Sequence, residues 1–169
     1  MHNLYDIVVP PLVNRFRALD QILTLLTQHC ETHKVKEEFF INDRLYPDML
    51  PLSSQVRIAT DMAKGAVGRL TVLEIPKFED NETTITELQA RLRALIDFFA
   101  TLNAEAFNGA EDKIVTVKRA NGEVALEANG WDYVQNFVLP NVYFHLATAY
   151  NILRHRGVVL GKKDFIGRL

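Results

Sequence analysis

The chain has 169 residues, 19 Lys and Arg against 21 Asp and Glu, a formal net charge of -2, and one cysteine. A length near the common domain size argues for a single domain over residues 1–169 around one core. Near-neutral charge leaves no footprint for nucleic acid or an acidic membrane surface, and one Cys builds no disulfide framework and fits a reducing, cytoplasmic setting.

Residues Met1–Pro11 show neither a basic region nor an apolar run, so no signal peptide is expected. The first helix is carried by Leu12, Phe16, Leu19, Leu23, Leu26 and Cys30, an alternating spacing that aligns one apolar stripe. Pro10 and Pro11 either start it or kink an earlier turn with Tyr5, Ile7 and Val8. It fades in the polar run 29–34. A connector over 36–51 holds a short helical piece near Glu37–Ile41 and is punctuated by Pro47 and Pro51.

Pro51 suits the first turn of a second helix running from Leu52 to about Leu73, with the stripe Val56, Ala59, Ala63, Val67 and Leu70. Gly65 and Gly68 cost about 1 kcal/mol each against Ala, which predicts close approach of a neighbouring backbone. Thr84 and Glu87 form a capping box for the third helix. Its core stripe is Ile85, Leu88, Leu92, Leu95, Phe99 and Leu102, and Glu87, Arg91, Arg93 and Asp97 fall on the side that suits solvent.

The period then changes. Residues 113–118 and 123–127 read as two strands, and Asn121-Gly122 is a two-residue hairpin signal. A fourth helix spans Trp131 to about Arg156 and stops at Gly157. No Asp, Glu, Lys or Arg occurs from Tyr133 to Leu153, yet Gln135, Asn136, Asn141, His145 and Asn151 exclude a membrane span. A charge-free helix suits the centre of a bundle, with a kink at Pro140. Residues 158–169 read as an ordered extension rather than a fifth helix. The pattern is all-α: a four-helix bundle with a small β-hairpin between helices 3 and 4.

Few side chains could carry chemistry. His145 lies on the stripe Val134, Val138, Asn141, His145, Thr148, Ile152, with Asn141 one turn before it. A buried imidazole needs a partner whatever its role, and a pocket between helices would make it a base or ligand. Asp61 sits among Ile58, Ala59, Met62 and Gly65, so it is either an inward carboxylate needing a partner or an exposed partner of Arg57. Gln55 is a third polar contributor or a solvent-facing first-turn residue. His29 and His33 are spaced for a metal but also suit a helix C-terminus. Cys30 lies in the apolar stripe and reads as an inert thiol, His155 as a surface residue, and His2 as uninformative. Tyr143, Phe144 and Tyr150 read as core aromatics, with Tyr150 also a candidate wall of a ligand cleft.

Several segments together resemble a known family. They are Arg44–Leu52, Gln55-Val56, Ala59-Thr60-Asp61, Glu82-Thr83-Thr84, Leu88–Arg91, Leu139–His145, Leu153–Gly157 and Gly161–Phe165. They are similar to a bacterial and fungal domain-of-unknown-function family of the DinB/YfiT-like superfamily. The resemblance implies the bundle with its hairpin and a homodimer. It also implies comparison with a three-histidine metal site, one ligand from the second helix and a His-x-x-x-His pair from the fourth. Counting back from Leu153-Arg154-His155-Arg156-Gly157 puts His145 at the second histidine of the pair and Asn141 at the first, and the second helix has no histidine. No three-histidine metal site is therefore expected, and His145 with Asp61 would make only a weak site for a divalent metal.

The expectation is a small-ligand site lined by His145, Asn141, Asp61, Gln55 and Tyr150. The alternative is a divergent metal- or thiol-dependent transferase using His145 as ligand or base. A purely structural homodimer is the third.

Overall fold

The computed structural model describes residues Asn3–Arg168; the terminal His2 and Leu169 lie outside the described residues. Helix α1 spans Leu4–His33, α2 Glu37–Ile41, α3 Leu52–Leu70 and α4 Ile85–Ala100. A 3-10 turn at Ala104–Phe107 leads to strands β1, Ile114–Lys118, and β2, Val124–Asn129. Then α5, Gly130–Tyr133, runs through a π-helical turn, Val134–Val138, into α6, Leu139–His155, and α7 covers Lys162–Ile166.

Every residue of the α1, α3 and α4 core stripes is buried, which is what their spacing requires. The bundle pairs α3 with α6 and α1 with α4, closed by α3–α4 and α1–α6 contacts. Helices successive in the chain, α1 to α3 and α4 to α6, therefore stand diagonally opposite. The connector over 36–51 and the hairpin segment are the two crossings.

Helix α1 begins at Leu4, so Pro10 and Pro11 lie inside it, with the earlier turn of Tyr5, Ile7 and Val8 present. The Asn3 side chain caps Tyr5 N, and Glu111 Oε1 accepts from Leu4 N at 3.1 Å. Helix α3 ends at Leu70 rather than Leu73. Thr71 stops it by turning its hydroxyl back onto Val67 O at 2.7 Å and accepting from Leu73 N. The glycines of α3 face side chains, not a helix backbone: a Cβ on Gly65 would meet the Arg69 guanidinium, and one on Gly68 the Ile75 side chain.

The hairpin turn is one residue longer than Asn121-Gly122 suggested. Gly122 N donates to Arg119 O and Arg119 N to Glu123 O, and Gly122 alone takes positive φ, at 86°. This is a turn followed by a left-handed glycine. At the far end Gly130 passes so close to Ala110 O that no Cβ fits, while Trp131 N bonds Glu111 O at 3.0 Å. The anticipated irregularity at Pro140 is the π turn just before it. The extra residue accommodates the missing proline N–H, and Asn141 Nδ2 donates to Phe137 O at 2.6 Å.

Two expectations are corrected. Helix α6 is not central: Pro140, Tyr143, Phe144 and Asn151 are exposed along its outer side. The tail does contain a helix, α7, because Asp164 accepts from Gly161 N at 2.7 Å and Phe165 packs edge-on against Tyr150. Gly157 does close α6, at φ 88°, with Val158 N bonding Leu153 O.

Candidate functional site

Gln55 is in the first turns of α3 and is buried, not solvent-facing. Its Nε2 donates to Leu50 O at 2.9 Å, which fixes the amide so that Oε1 is the free acceptor. His145 Nδ1 lies 2.7 Å from that Oε1. An amide oxygen only accepts, so Nδ1 carries the proton and Nε2 holds the lone pair. Nε2 takes no partner among the described residues and is not sealed from solvent. Burial lowers the imidazole pKa from its ordinary value, favouring the neutral ring. The Phe144 ring packs edge-on against it, centroids 5.3 Å apart.

The other expected site residues are divided among different places. Asn141 shares the His145 side of α6, and its amide nitrogen is held by Phe137 O. Tyr150 belongs to the α7 contact, its ring 5.9 Å from Phe165. Asp61 is six residues beyond Gln55, about 240° further round α3, and so serves another face. It lines a recess of about 230 Å³ with Ile58, Met62, Arg69, Val117 and Phe137.

Asp61 pairs neither with Arg57 nor with His145. Its Oδ1 takes Arg91 Nη2 at 2.7 Å and Lys64 Nζ at 2.9 Å. Arg91, assigned to solvent by its position on α4, is 3 % exposed. Its guanidinium also reaches Thr60 Oγ1 at 2.6 Å, Asp80 Oδ1 at 2.6 Å and Glu82 Oε1 at 2.8 Å, with Phe78 stacked 4.4 Å away. Arg57 pairs with Glu82 instead, through Nε at 2.7 Å and through Nη2 to the Glu82 carbonyl. Burial pushes the Glu82 carboxyl up, but hydrogen bonds and charge from Arg91 and Arg57 outweigh it, and the net shift is downward. Asp80 enters the cluster from a left-handed conformation, φ 56°. The irregular segment 71–84 is thus tied down on one buried cation. The sequence signal existed: Ala59-Thr60-Asp61, Glu82-Thr83-Thr84 and Leu88–Arg91 meet here, but an ion network has no periodicity to reveal it.

The remaining histidines stand apart. His29 and His33 rings lie 4.3 Å apart, with His29 against Phe40. Burial, then the neighbouring His33, lowers the His29 pKa. Burial, then Glu37, raises the Cys30 thiol, which keeps it protonated and unreactive. His155 is exposed.

A family model described as Domain of unknown function (DUF1993) matches residues 4–166. The chain belongs to the DUF1993 family. A crystal structure of a DinB family member from Shewanella denitrificans is 33 % identical, with a TM-score of 0.90 over 98 % of this chain and 93 % of that one. No curated protein matches the chain. This DUF1993 protein is a DinB-like helical bundle with a two-stranded hairpin.

The donor set does not fit a three-histidine metal centre. The α3 residue facing His145 is an amide whose oxygen already accepts Nδ1–H, and Asn141 directs its nitrogen to Phe137 O. Asp61 is engaged by two cations. Among the described residues no three His, Cys, Asp or Glu side chains converge. None of the described helices is long and apolar enough to cross a membrane.

Proposed function

We propose that this DUF1993 protein is a binding protein for a small donor-bearing molecule, held at His145 Nε2. The observation that carries the reading is the hydrogen bond of His145 Nδ1 to Gln55 Oε1, which presets a neutral, oriented acceptor within the stretch Tyr133–Leu153 that holds no Asp, Glu, Lys or Arg. Asn141 Oδ1, one turn away and without a partner among the described residues, is a second acceptor. Two neutral acceptors beside an aromatic edge suit an aromatic molecule with O–H or N–H groups. Catechol is the probe. Titration into ¹⁵N-labelled protein should shift the His145 imidazole resonances and the backbone amides around His145, and His145→Phe should abolish the amide shifts. Unmoved imidazole resonances at millimolar catechol would overturn the reading.

The same nitrogen as a general base is the second reading, favoured by the lowered pKa. A homodimer in the cytoplasm is the proposed assembly. It is supported by the uncharged outer stripe of α6, Pro140, Phe144, Ala147 and Asn151, spaced as one helix face. Light scattering at micromolar concentration tests it, and a monomer would refute it.

A further inference from the structure

A second cleft, of about 870 Å³, opens on the other side of α3, bounded by α2, the first turns of α3 and the segment entering α4. Ser53 and Gln55 are two residues apart, about 200° round the helix, so this cleft and the His145 site use opposite faces of the same turns. Its wall carries Lys36, Ser53, Ser54 and Arg57, together with three carboxylates: Glu37, whose Oε2 accepts from Ile85 N, Glu82, held by Arg57 and Arg91, and the exposed Glu38.

The start of α3 is unlike that of α4. Helix α4 has its capping box, and Glu37 Oε2 accepts from Ile85 N at 2.9 Å. Helix α3 is capped by Pro51, which has no polar side chain, and its first turn contains no acid. Leu52 N bonds Asp43 O and Gln55 N bonds Pro51 O, leaving the N–H groups of Ser53 and Ser54 without partners among the described residues. Such groups, with the helix dipole behind them, attract anions.

A helix terminus alone is a generic feature. Here it is joined by a specific one. Ser53 is 6 % exposed, its hydroxyl has no hydrogen-bond partner among the described residues, and Oγ is not among the sealed atoms. A side chain that buried, lining this cleft, reaches solvent only through it. A hydroxyl confined in this way takes its hydrogen bond from whatever occupies the cleft, and a ligand oxygen can replace water there. Arg57 adds charge: Nε and Nη2 hold Glu82, and Nη1 is left unengaged among the described residues. Lys36 forms no ion pair among the described residues and stands at the exposed rim, beside the carboxylate of Glu38.

We propose that this cleft binds a phosphate group, with Ser53 Oγ and the Ser53 and Ser54 N–H groups on its oxygens and Arg57 and Lys36 supplying countercharge. The cleft exceeds the size of the anion alone, so the chemistry is a phosphate carried free or on a small organic monoester.

The test is calorimetry and amide NMR of the intact protein with inorganic phosphate and with phenyl phosphate. Saturable binding is expected, with the largest amide shifts at Ser53 and Ser54. Ser53→Ala should weaken binding about tenfold. Ser53→Asp should abolish it while keeping the fold, because a carboxylate in the first turn suits the helix and repels the ligand. Catechol present throughout the titration should leave phosphate affinity unchanged, separating this cleft from the His145 site. Tighter phenyl phosphate identifies a monoester, and equal or tighter inorganic phosphate identifies the free anion. No saturation at 10 mM of either probe, about a thousandfold weaker than a 10 μM site, overturns the proposal. So does wild-type affinity in both Ser53 variants.

Discussion

Replacing Arg91 by Met removes the one cation that holds Thr60, Asp80, Glu82 and Asp61 together, at nearly constant volume. Breaking a buried charge cluster from one side costs about 3–5 kcal/mol, since the anions left behind lose their partner. The lower end applies here. Asp61 and Asp80 side chains are 35 % and 54 % exposed and can be rehydrated, and Glu82 keeps Arg57. About 3 kcal/mol is expected, which for a domain of this size lowers Tm by roughly 6–12 °C. Urea unfolding at constant m and calorimetry measure it. The acid limb is a second readout. The folded Glu82 carboxyl lies below its ordinary value of 4.5, so its contribution is complete above that pH and is lost as pH falls through the depressed value. Arg91→Met should flatten that limb as well as lower the plateau. Arg91→Lys, which keeps the charge without the planar fork, should fall between. A loss under about 1 kcal/mol for Arg91→Met would mean the cluster behaves as a surface ion pair, and the reasoning fails.

Gln55→Leu should leave the His145 Nδ1–H without its acceptor, costing about 1–3 kcal/mol, and should shift the imidazole tautomer balance seen by ¹⁵N NMR. Because burial lowers the His145 pKa, its contribution to stability is full above 6.5 and is lost as pH falls through the folded value; catechol binding should fall over the same window, since protonated Nε2 no longer accepts. Gly130→Ala should cost about 3 kcal/mol by overpacking against Ala110 O, with NMR shifts concentrated at the hairpin–helix junction; an unchanged melt would refute the close approach.

What the sequence revealed was whatever repeats along one element. Leu12 to Cys30, Val56 to Leu70 and Ile85 to Leu102 declared three helices and their buried faces by spacing alone. Thr84 with Glu87, and Gly157, declared ends because capping is local chemistry. The turn at Gly122 and the helix at Lys162–Ile166 were misread by small margins, where one backbone bond decides the outcome. Arg91 was misplaced for a different reason. Its position on α4 is intermediate, and burial there is decided by Asp80 and Glu82 arriving from an irregular loop. Gln55 and His145 were both singled out, yet their contact at 2.7 Å joins residues 90 apart in the chain and has no local signature. Asp61 was misgrouped with them because six residues along a helix do not return to the same face.

The two faces of α3 show why the charge-free stretch of α6 matters. On the α4 side, α3 presents Arg57 and Asp61 to a cluster in which charges neutralise one another under partial burial. Such clusters fix a loop and leave little of their charge free, Arg57 Nη1 being the exception. On the α6 side, a charged partner for His145 would have been the simple way to satisfy a half-buried imidazole. A carboxylate there would raise the ring pKa and place a proton on both nitrogens. Gln55 satisfies Nδ1 without doing so, and Leu50 O settles which end of the amide faces the ring. The absence of Asp, Glu, Lys and Arg from Tyr133 to Leu153 extends the same condition along the helix. Introducing charge by Gln55→Glu therefore separates structure from binding. The fold should persist and gain an ion pair below the new His145 pKa, while catechol binding at neutral pH should weaken at least tenfold as Nε2 becomes a donor. Undiminished catechol binding in that variant would show that the neutral acceptor is not what the site provides.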